Sequence, residues 1–263
     1  MNTKNLIFMM KIVFFSLLLS CEKNEIENDP VIHDYRVDDV LYAKGSKLKR
    51  VYQVFDNSKN LVSEYQYDDF GEISRVDFLL ARRYDIYQYN AKRQLETISM
   101  FDESLENSPV LIQTISFTYD ANGNEVKMLY EWENLNHEKQ TYYYLYYYSG
   151  KRLTKREYYK DDQLSSFVLF EYKNGLLKKE KLYVPDSDDF LTTEHSYHET
   201  LLIYSVSYIG NPESGFSSDI KLYYDHNDNL IKTISNIPAL SSTITTDFLS
   251  TLEYEYDNPQ SFF

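Results

Sequence analysis

An all-β fold, a long antiparallel meander of tandem β-hairpins, is what this sequence predicts, and three observations predict it. A short phrase of aromatic residues, polar turn and aliphatic residue recurs along the chain. Tyr is the compositional outlier at 27 of 263 residues, while Gly numbers only 7, and Tyr suits half-buried pleated surfaces. No stretch carries a sustained 3.6-residue period with caps, so helical signals are weak. Length allows one large domain or two small ones, and the repeat assigns 39–263 to a single β domain.

The N-terminus reads as an address. Lys4 and Lys11 supply positive charge, and Ile12 to Leu19 is an apolar run too short to span a bilayer. Leu17-Leu18-Leu19-Ser20-Cys21 follows, and small Ser20 before Cys21 resembles a bacterial lipobox. That resemblance implies a signal peptide over 1–20, cleavage before Cys21 and acylation of Cys21, with several acyl chains giving stable anchoring. Cys21 is the single cysteine, which excludes an intrachain disulfide. Residues 21–38 read as the lipidated Cys and a flexible acidic tether, and acids directly after the Cys resemble the surface-export signal of Bacteroidetes-type lipoproteins. Loss of 1–20 takes away two Lys and no acid, leaving 25 basic against 41 acidic residues, a net −16. Such a surface argues against nucleic acid and favours solubility.

The hairpin phrase is clearest at Tyr65-Gln66-Tyr67-Asp68-Asp69-Phe70-Gly71-Glu72-Ile73. Aromatics two apart share a strand face, Asp68 can bond its own backbone, and Gly71 can take positive φ. The anchor tyrosines are Tyr42, Tyr67, Tyr89, Tyr119, Tyr148, Tyr172, Tyr197, Tyr224 and Tyr256. The aliphatics that follow are Leu48, Ile73, Leu95, Val126, Leu153, Leu177, Leu202 and Leu230, and the last copy lacks its second strand. Near-constant turns with variable links mark hairpins as the repeating unit. The links are themselves turn-rich, so all neighbours are expected to be antiparallel, with sixteen or seventeen strands in all. Asn236 to Thr246, containing Pro238, is the expected irregular or short helical insertion.

On these residues the chain resembles the YD-repeat (Rhs-like) family over roughly 40–258, most closely at Tyr67-Asp68…Gly71 and Tyr119-Asp120…Gly123. It is also similar to small Bacteroidetes lipoproteins built from such repeats. Elsewhere the Asp becomes Asn90, Ser149, Lys173 or His198, and Gly is missing near 89, 197 and 224. The resemblance implies hairpin architecture and says little about activity.

A basic residue stands two after the aliphatic in five units, at Arg50, Arg75, Lys155, Lys179 and Lys232. Strand parity would place it on the aliphatic's face, with Tyr67 pairing Ile73 and Tyr65 facing Arg75, as a ladder of rings covered by alkyl stems. A cylindrical barrel of this size has a lumen side chains cannot fill, so a strongly curved open sheet, a flattened barrel or a wet lumen is expected. Terminal Phe262-Phe263 is shared with outer-membrane barrels, but charges fall at both strand parities and leave no clean lipid-facing band.

Reactive chemistry finds little footing. His195 and His198 are three apart and fall on opposite strand faces, which suits a metal poorly. Asp120, Asn122 and Asn124 with Glu131 copy part of a calcium loop, but Glu125 holds the required Gly position. Asp225, Asn227 and Asn229 copy its opening, and Leu230 and Asn236 fail the later positions. Asp161/Asp162 and Asp188/Asp189 read as solvated turns. No nucleophile motif or phosphate-cradling loop is present, so no enzyme, metal or cofactor is expected. Aromatics are the one feature a ligand could use: Trp132 with Tyr142, Tyr144, Tyr146 and Tyr148, on adjacent strands. The reading is a lipid-anchored envelope protein on the periplasmic or cell-surface face of the outer membrane, binding a glycan, peptide or envelope partner. A structural or scaffolding lipoprotein is the alternative, and a glycan-active enzyme a weaker one.

Overall fold

The computed structural model describes residues 47–55, 58–103, 108–133, 138–187, 190–210, 217–225, 228–237 and 248–257. Cys21, the tether, Tyr42 and Phe262-Phe263 lie outside these residues. So does the expected insertion from 238 onward, while Asn236 belongs to a strand. Sixteen strands follow one another: β1 (Lys47–Phe55), β2 (Ser58–Tyr67), β3 (Ile73–Phe78), β4 (Arg83–Tyr89), β5 (Leu95–Asp102), β6 (Val110–Tyr119), β7 (Glu125–Glu133), β8 (Lys139–Ser149), β9 (Arg152–Lys160), β10 (Gln163–Lys173), β11 (Leu176–Tyr183), β12 (Phe190–His198), β13 (Leu201–Ile209), β14 (Ser217–Tyr224), β15 (Leu230–Ile237) and β16 (Phe248–Asp257).

Each strand pairs antiparallel with its sequence neighbours, and β16 pairs with β1, so the sheet closes into a barrel. Of the expected closures, the open sheet is therefore replaced by the barrel. Closure uses the repeat itself. The last phrase, Tyr254-Glu255-Tyr256, lacks a second strand of its own and takes β1 instead, with Leu48 opposite Tyr256 and Val51 opposite Tyr254.

Cross-strand partners share a face, and over β5 to β8 the inner face is apolar. Ile98 pairs with Ile115, Ile115 with Tyr130, and Tyr130 with Tyr142; Ile98 and Ile115 are both 0 % exposed. A water-filled channel would leave those positions wet, so the barrel is packed at their level, as a flattened barrel requires. One apolar cluster spans Leu95 to Leu177; a second gathers Leu48, Val51, Leu202, Leu222 and Leu230. The outer face carries ion pairs. Arg50–Glu64 (2.7 Å) and Lys179–Glu194 (2.8 Å) pair between neighbouring strands on the exterior, and Arg75–Asp77 (2.5 Å) and Lys155–Glu157 (2.6 Å) pair along one strand.

The phrase turns share one end of the barrel, here the turn end; the links share the other, the link end. At the turn end Asp68 Oδ1 accepts from the N–H groups of Phe70 and Glu72, both at 2.9 Å. Asn90 and Asp120 repeat the bond pair onto Lys92 and Gln94, and onto Asn122 and Asn124. Gly71 and Gly123 sit at φ +90° and +86°, where a Cβ is strained. Where Gly is missing, Arg93 and Asp228 adopt φ 65° and 61° at the matching position. Arg93 gains from it: its guanidinium lies 4.0 Å from the Phe70 ring and 3.2 Å from Asp68, in the preceding turn.

Five anchor tyrosines face inward and bond to the preceding unit. The hydroxyls of Tyr67, Tyr89, Tyr119, Tyr224 and Tyr256 donate to the carbonyls of Leu48, Ile73, Leu95, Leu202 and Leu230, at 2.6–3.0 Å. Those carbonyls stand where the inter-unit ladder stops short. On β5, for instance, pairing with β6 begins at Thr97, leaving Leu95 without a ladder partner there. The hydroxyl thus satisfies a backbone acceptor that would otherwise be buried. Tyr119→Phe is expected to cost about 1–2 kcal/mol, which for a domain of this size lowers the thermal midpoint by roughly 2–8 °C. Differential scanning calorimetry checks it, and an unchanged midpoint would remove the tyrosine's structural role.

Two expectations need correction. The predicted pair Tyr67–Ile73 forms, but a bulge between Gln66 and Tyr67 shifts the register, so Tyr65 faces Val76 and Arg75 faces Gln66. A bulged residue reverses the parity that follows. The aliphatic therefore points in while the basic residue points out, and the single-face ladder does not form. The cations instead cover outward rings: Arg75 lies 3.6 Å from Tyr84, and Lys155 5.1 Å from Phe167. In the fourth unit the residue opposite Tyr119 is Glu125, not Val126, and it is buried.

Candidate functional site

Trp132, Tyr142, Tyr144, Tyr146 and Tyr148 share the inner face. Tyr144 and Tyr146 are core residues at 5 % and 4 % exposure, while Trp132, Tyr142 and Tyr148 pack against that core and stay half-open. β8 places its other tyrosines outward, so Tyr143 stacks on Tyr159 and Tyr147 donates to Glu157. Trp132 and Tyr142 lie toward the link end, with ring centroids 5.2 Å apart at 64°. Tyr142 also stacks on Tyr130 at 4.3 Å and meets Tyr158 edge-on at 5.5 Å. Burial pushes the Tyr142 hydroxyl far above its ordinary pKa, so it stays a neutral donor. These rings form an aromatic inner wall over β7 to β9.

The inner wall over β12 to β16 has a different composition. Thr193 pairs with Ser207, His195 with Ser205, Ser207 with Ser218 and Ser235 with Ser250. Small hydroxyl side chains fill little volume and present donors and acceptors. Thr193 and Ser207 share a hydrogen bond of 2.8 Å. His195 bridges two groups: Nδ1 lies 2.8 Å from Ser205 Oγ and Nε2 3.0 Å from Glu180 Oε1. Lys178 donates to the His195 carbonyl at 2.7 Å. Burial pushes the Glu180 carboxyl up, but the bond from His195 and the charge of Arg156 outweigh it and hold the group below its ordinary value. Glu180 faces the inside of the barrel opposite Phe170 and keeps 26 % of its side-chain surface accessible.

Asp85 is the other inward carboxylate of note. It stands between Val76 and Met100 at 1 % exposure, 3.2 Å from Arg83 Nε. Burial outweighs that guanidinium and raises the carboxyl to about 6.

His195 and His198 fall on separate sides of β12: His195 is buried within the barrel, and His198 is exposed. Asp120 is occupied by its own turn, with Asn124 Nδ2 on its second oxygen, and Glu131 pairs with Lys139. Among the described residues no cluster of three or more His, Cys, Asp or Glu is placed to hold a metal. Sequence reasoning missed Glu180, Ser205 and Asp85. Their positions depend on strand register, and the alternation Thr193/His195 against Ser205/Ser207 is the signal that could have paired them.

No family model and no curated protein matches the chain. Among solved structures it is similar to a porin-like protein from Bacteroides vulgatus ATCC 8482, at 12 % identity and TM-score 0.46, covering 80 % of this chain and 98 % of that one. It is likewise similar to a porin-like protein from Bacteroides uniformis ATCC 8492, at 10 % identity and TM-score 0.41, covering 79 % and 96 %.

Proposed function

We propose that this chain is a lipid-anchored envelope protein whose barrel stands in water beside the outer membrane and holds a small polar ligand, a glycan in the first instance, inside its link-end half. The observation that carries the binding reading is the division of the inner wall into stacked rings over β7 to β9 and hydroxyls over β12 to β16. Rings offer flat apolar faces to sugar C–H groups, and hydroxyls supply the convergent polar contacts that fix orientation. Anchoring rests on Lys4, Lys11, the apolar run and Ser20-Cys21. The aqueous setting rests on the charged exterior: a membrane-spanning barrel turns an apolar band outward, whereas here Lys, Arg, Asp and Glu pair on the outer face. No reaction is assigned to the barrel.

One outer feature favours the scaffolding alternative. Phe167, Tyr183 and Phe190 stack in sequence across β10, β11 and β12 at 5.0 and 5.5 Å. Such a strip could seat an envelope partner.

Radiolabelled palmitate and a glycan array, both with the full chain, test the proposal. Wild type is expected to take up label and remain with membranes, and Cys21→Ala to do neither. On the array, Trp132→Ala is expected to weaken retention of any bound glycan about tenfold, in line with the loss of one ring stack. Equal labelling of Cys21→Ala would remove the anchor, and an array blank for wild type would remove the glycan reading and leave the outer strip.

A further inference from the structure

The chain Glu180–His195–Ser205 has a direction. An ionised carboxylate only accepts hydrogen bonds, so His195 Nε2, 3.0 Å from Glu180 Oε1, is the donor of that contact. In the neutral imidazole Nδ1 then carries no hydrogen. Ser205 Oγ, 2.8 Å away, must donate its one hydrogen to it. The lone pairs of Ser205 are left for whatever stands beside it. The hydroxyls of Thr193 and Ser207, which pair with each other, flank the site.

The charges around the chain are answered from within the protein. β9 contributes Arg156, which acts on Glu180; β11 contributes Glu180 and Lys178, whose ammonium is bound to the His195 carbonyl. Glu194 of β12 and Lys179 of β11 pair with each other on the outer face, and the described part of β13 carries no charged residue. Inside the barrel Glu180 stands against Arg156, and the further cation, Lys178, is exposed and held on the His195 carbonyl, so among the described residues no counter-charge is directed at Ser205. Hydroxyls in number with compensated charge suit a neutral polyhydroxylated molecule.

Resting on the lumenal binding reading, we propose that Ser205 is a specificity residue, fixed as an acceptor by Glu180 and His195, that takes a hydrogen bond from a hydroxyl of a neutral saccharide.

The test has a ligand-free arm and a binding arm, both on the full chain in detergent. Nitrogen-15 spectra of the imidazole at pH 7.5 are expected to show His195 with hydrogen on Nε2 and none on Nδ1. Titration calorimetry with maltotriose, xylotriose and mannotriose is expected to find a neutral ligand bound at least tenfold more tightly than trigalacturonate. Ser205→Ala and Glu180→Gln should each weaken it tenfold or more, with circular dichroism melts confirming the fold. The Nδ1–H form, unchanged affinity in Ser205→Ala, or preference for trigalacturonate overturns this inference while leaving lumenal binding in place. Wild type that binds none of the four, with the expected imidazole form, overturns the saccharide reading on which it rests.

Discussion

Ile115→Lys is expected to abolish folding, while Ser116→Lys, one residue along the same strand, leaves stability unchanged within about 0.5 kcal/mol. Ile115 is fully buried between Ile98 and Tyr130, with no carboxylate among those partners, and an unpaired ammonium there costs several kcal/mol, comparable with the whole stability of a domain. Ser116 points to the outer face beside Thr97 and Leu129 and is half-buried, where a long side chain can extend its head into water. A lipid-facing wall would give the opposite ranking, with lysine outside costing about 2–4 kcal/mol at the bilayer midplane. Urea unfolding of the two variants therefore reads which way the barrel wall faces, and a folded Ile115→Lys protein would remove the packed interior.

Asp85→Asn is expected to stabilise the protein at pH 7.5 and to leave it nearly unchanged at pH 4.5. The folded carboxyl is raised to about 6 by burial against Val76 and Met100, from an unfolded value near 3.9. The folded state therefore holds the proton more tightly than the unfolded one. That contribution is fully present below the unfolded value and is lost as pH climbs through the folded one. About two pKa steps correspond to roughly 3 kcal/mol, of which the amide recovers about 2 once the contact with Arg83 is given up. Thermal melts of both proteins across pH 4–8 check the sign. A variant less stable than wild type at neutral pH would mean that the Arg83 pair outweighs burial.

The antiparallel hairpins were legible because their signals are local. Asp68, Asn90 and Asp120 close their own turns, and Gly71 and Gly123 supply the left-handed step. The bulge was not legible. A turn of five or six residues reads the same whether or not the next strand gains an extra residue, so the facing of Arg75 came out reversed and Glu125 was passed over for Val126. Closure was legible only as a set of options, since it depends on the last half-phrase finding β1. The aromatic candidates divided for a related reason. Parity places Tyr144 and Tyr146 on the ligand-facing row, but only the packed interior reveals that they are covered while Trp132 stays half-open. The Glu180–His195–Ser205 chain needs the register of three strands at once, and no window of sequence contains it.

The junction of first and last strands sets the order of assembly. Tyr52 and Glu255, hydrogen-bonded at 2.7 Å, are 203 residues apart in the chain, so the ring cannot shut until β16 has emerged. Until then two sheet margins stay raw, each a template for a neighbouring molecule, and so distant a contact forms late and slowly. Folding of this protein therefore depends on keeping those margins apart from other chains until they meet, and truncation within β16 would leave them open for good.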